Sequence, residues 1–276
     1  MDKLIEKFIE ELSESVSIPQ NEYLNVEDGL LHCSACHKKT ETIIRHPFTG
    51  EERKVRCKCA CKGEKELFEE RQRIEELDRQ RRICFAETNM ASWCFANDDR
   101  RNERLSGAMK AYADKFPEMI KEGRGLLLHG NCGTGKTFYA ACIANALIEN
   151  GYTVLMTNFA RLTNQLQGMY EGKQQFIDSL NRYSLLIIDD LGAERNTDYM
   201  VEQVFNIIDS RYRSGKPMII TTNLTADELK KPQSVEYARI YDRVLERCHP
   251  VEVSGLSRRR QSVRETYQSM NEMLGL

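Results

Sequence analysis

The chain has 276 residues, 41% of them hydrophobic, which is enough for a sizeable core and argues against wholesale disorder. Lys and Arg number 40 against 42 Asp and Glu, a formal net charge of -2, so no overall basic field draws it to nucleic acid and any such contact has to come from a local patch. No run reaches the ~18 apolar residues of a membrane span, and the start lacks the basic, then unbroken apolar, pattern of a signal peptide. The expectation is a soluble, cytoplasmic protein with no membrane partner, whose 10 cysteines serve as thiols or metal ligands rather than disulfides.

The first fifteen residues are acidic and amphipathic, with Leu4, Ile5, Phe8, Ile9 and Leu12 at helical spacing. Such a stripe packs on its own domain or enters a partner's groove. Next comes a cysteine cluster: Cys33-x-x-Cys36, then Cys57-Lys-Cys59-Ala-Cys61. Two thiolate groups separated by a loop suit tetrahedral zinc, which needs four soft ligands from folded-back turns. A short segment with few core-forming residues would draw most of its folding energy from the metal. Five cysteines stand for four positions, so one is spare. Residues 64–82 are densely charged, with only Leu67, Phe68, Ile74 and Leu77 apolar, and read as a solvated connecting helix. The chain therefore divides into a zinc-binding module over 1–63, a charged helical linker over 64–94 and an α/β domain over 95–276.

From about residue 95, short apolar runs alternate with amphipathic stretches, the pattern of a parallel sheet with crossover helices. Strands are predicted over 125–129, 152–157, 185–188, 217–222 and 251–253. A helix is expected over 137–150. A second follows from Val201, Val204, Phe205 and Ile208 on one face, with Gly215 as its stop. Thr225 and Glu228 form a capping-box pair opening a short helix. A last stripe runs through Tyr237, Ile240, Tyr241, Val244, Leu245 and Cys248.

Gly130-Asn131-Cys132-Gly133-Thr134-Gly135-Lys136-Thr137 matches G-x-x-x-x-G-K-[ST] between an apolar strand and a helical segment. The glycines let the backbone curl so that its N–H groups point at phosphate oxygens. Lys136 would neutralise the β- and γ-phosphates of ATP, and the Thr137 hydroxyl would ligate Mg²⁺. The apolar run 185–188 then delivers Asp189 and Asp190 to the sheet's C-terminal edge. Asp189 suits the Mg²⁺ shell, and Asp190 suits orienting the attacking water. A third piece, Asn223, ends the next strand, at a tip expected between the other two, within reach of the γ-phosphate or its water.

Together these residues resemble the AAA+ ATPases and, more narrowly, the DnaC/DnaI helicase-loader family with its IstB-like relatives, phage-encoded members included. The resemblance covers roughly residues 90–265. It rests on GNCGTGKT, LLIIDDLGAE, the sensor-I-like TTN, and ARIYDRVLERC with the later GLSRRR. It implies an AAA+ parallel sheet with flanking helices, followed by too little chain for a full C-terminal lid. It implies that an arginine from one subunit reaches its neighbour's γ-phosphate, with Arg239 the first candidate and Arg243 the second. The usual Asp-Glu acid pair is Asp189-Asp190 here, with a shorter second arm. The 257–260 stretch would supply a cationic sensor or a DNA phosphate contact.

Because phage-type loaders carry a similar C-K-C before a charged helix, the resemblance favours Cys33, Cys36, Cys57 and Cys59 as zinc ligands. Cys61, His32, His37 and His46 are the substitutes. The resemblance also implies ATP-dependent self-association, a replicative ring helicase as partner of residues 1–63, and single-stranded DNA as a ligand of the ATPase region. Two other readings fit the same residues. One is a transposition accessory ATPase on duplex DNA. The other is an ATP-gated adaptor without turnover.

Overall fold

The computed structural model describes residues 19, 21–46, 50–57, 59–86, 89–192, 197–232 and 234–274, so the helix expected over the first fifteen residues lies outside the described residues. The chain parts into two compact units, Met1–Glu76 and Leu77–Leu276. Among the described residues no helix is long and apolar enough to cross a membrane.

The first unit is built from two antiparallel hairpins. Strands β1 (Glu22–Leu24) and β2 (Leu31–Cys33) pair with Glu22 opposite Cys33. Strands β3 (Glu41–Arg45) and β4 (Glu52–Arg56) pair with Glu41 opposite Arg56. Its buried described residues are few: Leu30, Leu31, His32, Cys33, Thr40 and Cys59. Ile43, Ile44 and Val55 of the second hairpin are exposed instead. So small an interior cannot hold two short hairpins by apolar burial alone, which is where a structural metal contributes most. The charged stretch forms helix α1 (Ala60–Phe85), and Leu67, Phe68 and Ile74 are exposed on it, as a solvated helix requires. Its end is different: Cys84 and Phe85 are buried in the core of the second unit.

In the second unit a five-stranded sheet runs in the order β6-β7-β8-β5-β9. The strands are β5 (Gly125–His129), β6 (Val154–Asn158), β7 (Leu185–Leu191), β8 (Met218–Thr222) and β9 (Cys248–Glu252), and every pairing is parallel. Helices α2 (Glu103–Asp114) and α3 (Phe116–Glu122) precede the sheet. Helices α4 (Lys136–Glu149), α5 (Phe159–Gln167), α6 (Lys173–Ser179), α7 (Asp198–Arg213), α8 (Ala226–Lys230) and α9 (Val235–Arg247) connect its strands, and α10 (Arg258–Leu274) follows the last. All five strands and the capping box at Thr225 and Glu228 appear at the expected places, β5 with the expected bounds, β6 and β8 shifted by one or two residues at their ends, and β7 and β9 differing more. Strand β9 begins at Cys248 rather than 251 because Cys248, His249 and Pro250 pair with Gly125, Leu126 and Leu127. Pro250 is tolerated because β9 is an edge strand. Strand β7 runs on through both acids to Leu191.

Both faces of the sheet are covered, which is why its strands read as unbroken apolar runs. Leu126, Leu128, Leu185, Ile187 and Ile219 point to one side and pack with Met109 and Tyr112 of α2 and Tyr139, Ile143 and Leu147 of α4. Leu127, Leu186, Ile188, Met218 and Ile220 point to the other, against Phe159 and Leu162 of α5, Val204 and Ile208 of α7, and Ile240 and Val244 of α9. At the lower end of this second layer lies Arg211, 0% exposed. It donates to the carbonyls of Tyr183 (3.0 Å), Ser184 (3.1 Å) and Pro217 (2.6 Å) and pins the entries of β7 and β8 together.

Candidate nucleotide site and cysteine cluster

With β8 between β5 and β7, the carboxyl ends of those three strands converge on one edge. The loop after β5 is tight. Gly130 takes φ 139, and a Cβ there would lie 2.5 Å from the Val253 carbonyl oxygen, so only glycine fits. At Gly133, φ 81, a Cβ would meet Ser257 Oγ at 2.2 Å. Asn131, Cys132 and Thr134 complete the turn, with Thr134 Oγ1 donating to Asn131 O at 2.9 Å. Gly135, also at positive φ, directly precedes Lys136, the first residue of α4.

Lys136 is only 5% exposed. Its Nζ donates to Gly130 O (2.8 Å), Asn131 O (2.8 Å) and Asn223 Oδ1 (2.7 Å). A buried ammonium needs such acceptors, and it is held at the mouth of a loop at a helix N-terminus, where anions are favoured. One residue on, Thr137 Oγ1 donates to Asp189 at 3.0 Å from Oδ1 and 3.2 Å from Oδ2. A hydroxyl and a carboxylate this close are the pair that P-loop proteins use to hold Mg²⁺. Burial pushes the Asp189 carboxyl up from its ordinary range, while hydrogen bonds from Thr221 and Thr137 and the Lys136 charge oppose that shift. Asp190 is exposed, and Asn223 Nδ2 reaches its Oδ1 at 3.5 Å.

The structure thus gathers Lys136, Thr137, Asp189, Asp190 and Asn223 around the loop 130–135. The two arginines of α9 differ from one another. Arg243 is engaged in structure: its Nε donates to Asp209 Oδ1 at 2.6 Å, and its guanidinium lies 4.8 Å from the Phe205 ring centre. Arg239, one turn earlier, is exposed, with the carboxylate of Glu236 nearby. Two further residues lie beside the site: Thr221, which the sequence left without a role, and Arg258, from the 257–260 stretch expected to supply a cationic sensor or a DNA phosphate contact. Thr221, 0% exposed, bonds both acids, and its signal was the polar Thr221-Thr222 pair closing an apolar strand. Arg258, one of three consecutive arginines, donates its backbone N–H to Gly133 O at 2.9 Å. Its side chain pairs with Asp99 at 2.9 Å and lies 5.6 Å from the Phe138 ring centre.

In the first unit the Sγ atoms of Cys33, Cys36, Cys59 and Cys61 all lie within 4.8 Å of one another. Cys36 and Cys59 stand 3.0 Å apart, as do Cys59 and Cys61, and Cys33 and Cys61 are 3.6 Å apart. A sulfur tetrahedron around zinc, with ~2.3 Å bonds, has edges of about 3.8 Å, so a four-thiol set gathered within 4.8 Å is compatible with the ion.

The structure brings Cys61, one of the expected substitutes, into this group and leaves Cys57 out of it. The backbone of Cys57 continues the pairing beyond β4, its N–H reaching Thr40 O at 2.9 Å, and this turns its sulfur towards Lys39 O. Cys61 lies instead in the first turn of α1, which folds it back on Cys59. His32 is engaged at both ring nitrogens, with His37 O at 2.9 Å and Asp28 Oδ2 at 3.0 Å, so it stays outside the group.

The model of the IstB-like ATP binding protein family matches residues 65–266. The replicative helicase loader DnaI of Bacillus subtilis is 28% identical over 150 residues, which are 50% of this chain and 48% of that protein. A putative ATP-binding protein in an insertion sequence of Mycobacterium tuberculosis, Rv3427c, is 26% identical over 59% of this chain and 66% of its own length. The chain thus spans about half to two thirds of the curated relatives it matches. Among solved structures, a crystal structure of DnaI superposes with a TM-score of 0.54 at 26% identity, covering 65% of this chain and 99% of that one.

Proposed function

This chain belongs to the IstB-like ATP binding protein family, and from that premise we propose that it hydrolyses ATP to load a replicative ring helicase onto single-stranded DNA. The observation that carries the hydrolytic part is the meeting of Lys136, Asn223 and Asp190 beside the Thr137–Asp189 pair. Lys136 binds the β- and γ-phosphates with the N–H groups of the loop 130–135. Thr137 and Asp189 would hold Mg²⁺, which when bound neutralises charge on the phosphate oxygens. Asp190 orients the attacking water, and Asn223 fixes Asp190 relative to the γ-phosphate. Arg239, exposed on α9, is the arginine offered to the neighbouring subunit's nucleotide in an ATP-dependent assembly. Arg243 is not, because Asp209 holds it.

The likeness to DnaI, with the cysteine module ahead of the ATPase region, supports the loader over its alternatives. In this reading residues 1–63, braced by zinc on Cys33, Cys36, Cys59 and Cys61, grip the helicase. Residues 64–94 connect, and residues 95–276 handle ATP and single-stranded DNA in the cytoplasm. The insertion-sequence relative supports a second reading, an accessory ATPase acting on duplex DNA in transposition.

Steady-state ATP turnover with single-stranded and duplex DNA separates them. Stimulation by single strands fits the loader, and stimulation by duplex alone fits the transposition accessory. Tight ATP binding without turnover under either condition, helicase included, would leave a nucleotide-gated adaptor.

A further inference from the structure

Strand β7 does not stay regular through its acids. Ile188 pairs with Ile220 and Leu191 with Thr222, so Asp189 and Asp190 together oppose the single residue Thr221. In an unbroken strand consecutive side chains point to opposite faces of the sheet, and the two carboxylates would diverge. The bulge re-aims them, with Asp190 at φ 59, a left-handed conformation that Asp tolerates better than most non-glycine residues.

One hydroxyl contacts both acids at this bulge. Thr221 Oγ1 accepts the Asp190 N–H at 3.0 Å and donates to Asp189 Oδ1 at 2.6 Å. A hydroxyl has one proton to give, so the direction of both bonds is fixed. Thr221 is fully buried, and water cannot take over either contact. We propose that Thr221 is a positioning residue of the site, orienting the Asp189 carboxylate as a magnesium ligand and locking the Asp190 backbone into the conformation that turns its side chain towards Asn223. The proposal rests on the nucleotide-site reading and adds to it the residue that makes the two acids act as a pair. Partners that orient a metal ligand in this way typically carry about 10–100-fold in metal affinity.

The test is a magnesium titration of a fluorescent ATP analogue bound to the full chain, on wild type, Thr221→Val and Thr221→Ser. Affinity in EDTA reports the Lys136 loop alone and serves as the folding control. Thr221→Val should bind the analogue normally in EDTA yet need about 10–100-fold more magnesium for half-saturation. Thr221→Ser, which keeps the hydroxyl, should follow the wild-type curve. A wild-type magnesium dependence in Thr221→Val would overturn the proposal. So would a loss of equal size in Thr221→Ser, because the methyl group rather than the hydroxyl would then matter. Failure of the wild type to bind the analogue at all would sink the nucleotide-site reading itself.

Discussion

The ammonium of Lys136 lies 2.7 Å from the side-chain oxygen of Asn223 although 87 positions separate them in sequence. The other end of the same amide faces Asp190, so Asn223 bridges Lys136 and Asp190. Lys136→Ala should weaken nucleotide binding and abolish turnover. Asn223→Ala should leave binding of a triphosphate analogue within a few fold while turnover falls about 100-fold, the usual cost of one preorganised polar contact. Parallel binding and turnover measurements check the split; equal losses in both would show that Asn223 only helps bind.

The two arginines of α9 predict opposite phenotypes. Arg243→Ala removes the partner of an Asp209 that is 8% exposed, and Arg213 at 2.8 Å compensates only in part. A loss of about 2 kcal/mol in stability is expected, read by denaturant unfolding. Arg239→Ala should unfold like wild type yet lower ATP turnover in the assembled state by about 10³-fold. Unaltered turnover in assembled Arg239→Ala would remove it as the trans-acting arginine.

For the cysteine cluster, elemental analysis should find one zinc per chain. Cys61→Ser should lose it, and Cys57→Ser should retain it, because the Cys57 sulfur faces Lys39 O rather than the other thiols. Chelation should unfold the two small hairpins while the sheet region keeps its melting transition. Zinc retained in Cys61→Ser and lost in Cys57→Ser would reverse the assignment.

Among the described residues, the hydrogen-bond partners of Arg211 are main-chain carbonyls. Burial lowers its pKa to about 10, still far above neutral, so it stays charged. Arg211→Leu strands the carbonyls of Tyr183, Ser184 and Pro217 without a donor. A loss of about 3–5 kcal/mol is expected, measured as a lowered denaturation midpoint. A midpoint within experimental scatter of wild type would mean that water reaches these carbonyls.

What the sequence made legible follows period and motif. The parallel strands announced themselves because both faces are buried, and the loop 130–137 because Gly130 and Gly133 meet atoms that exclude a Cβ and Gly135 takes a positive φ. The bulge at Asp189 and Asp190 was hidden, because one extra residue in a strand leaves no mark on its hydrophobic pattern. The role of Thr221 depends on that bulge and was hidden with it. The choice of Cys61 over Cys57 depended on where β4 stops and α1 starts, a boundary that charged residues on both sides obscure. Arg239 and Arg243 share chemistry and one helix, and what tells them apart is the set of α7 side chains that engage Arg243, Asp209 and Phe205 among them.

Helicase loading itself can be followed as transfer of a replicative ring helicase onto circular single-stranded DNA, which has no end to thread. The helicase would be isolated on the DNA after incubation with ATP and either wild type or Lys136→Ala. Helicase should appear on the circles with wild type and only at background with the variant. Transfer at the same level with Lys136→Ala, or none with wild type that hydrolyses ATP normally, would rule out loading as the function.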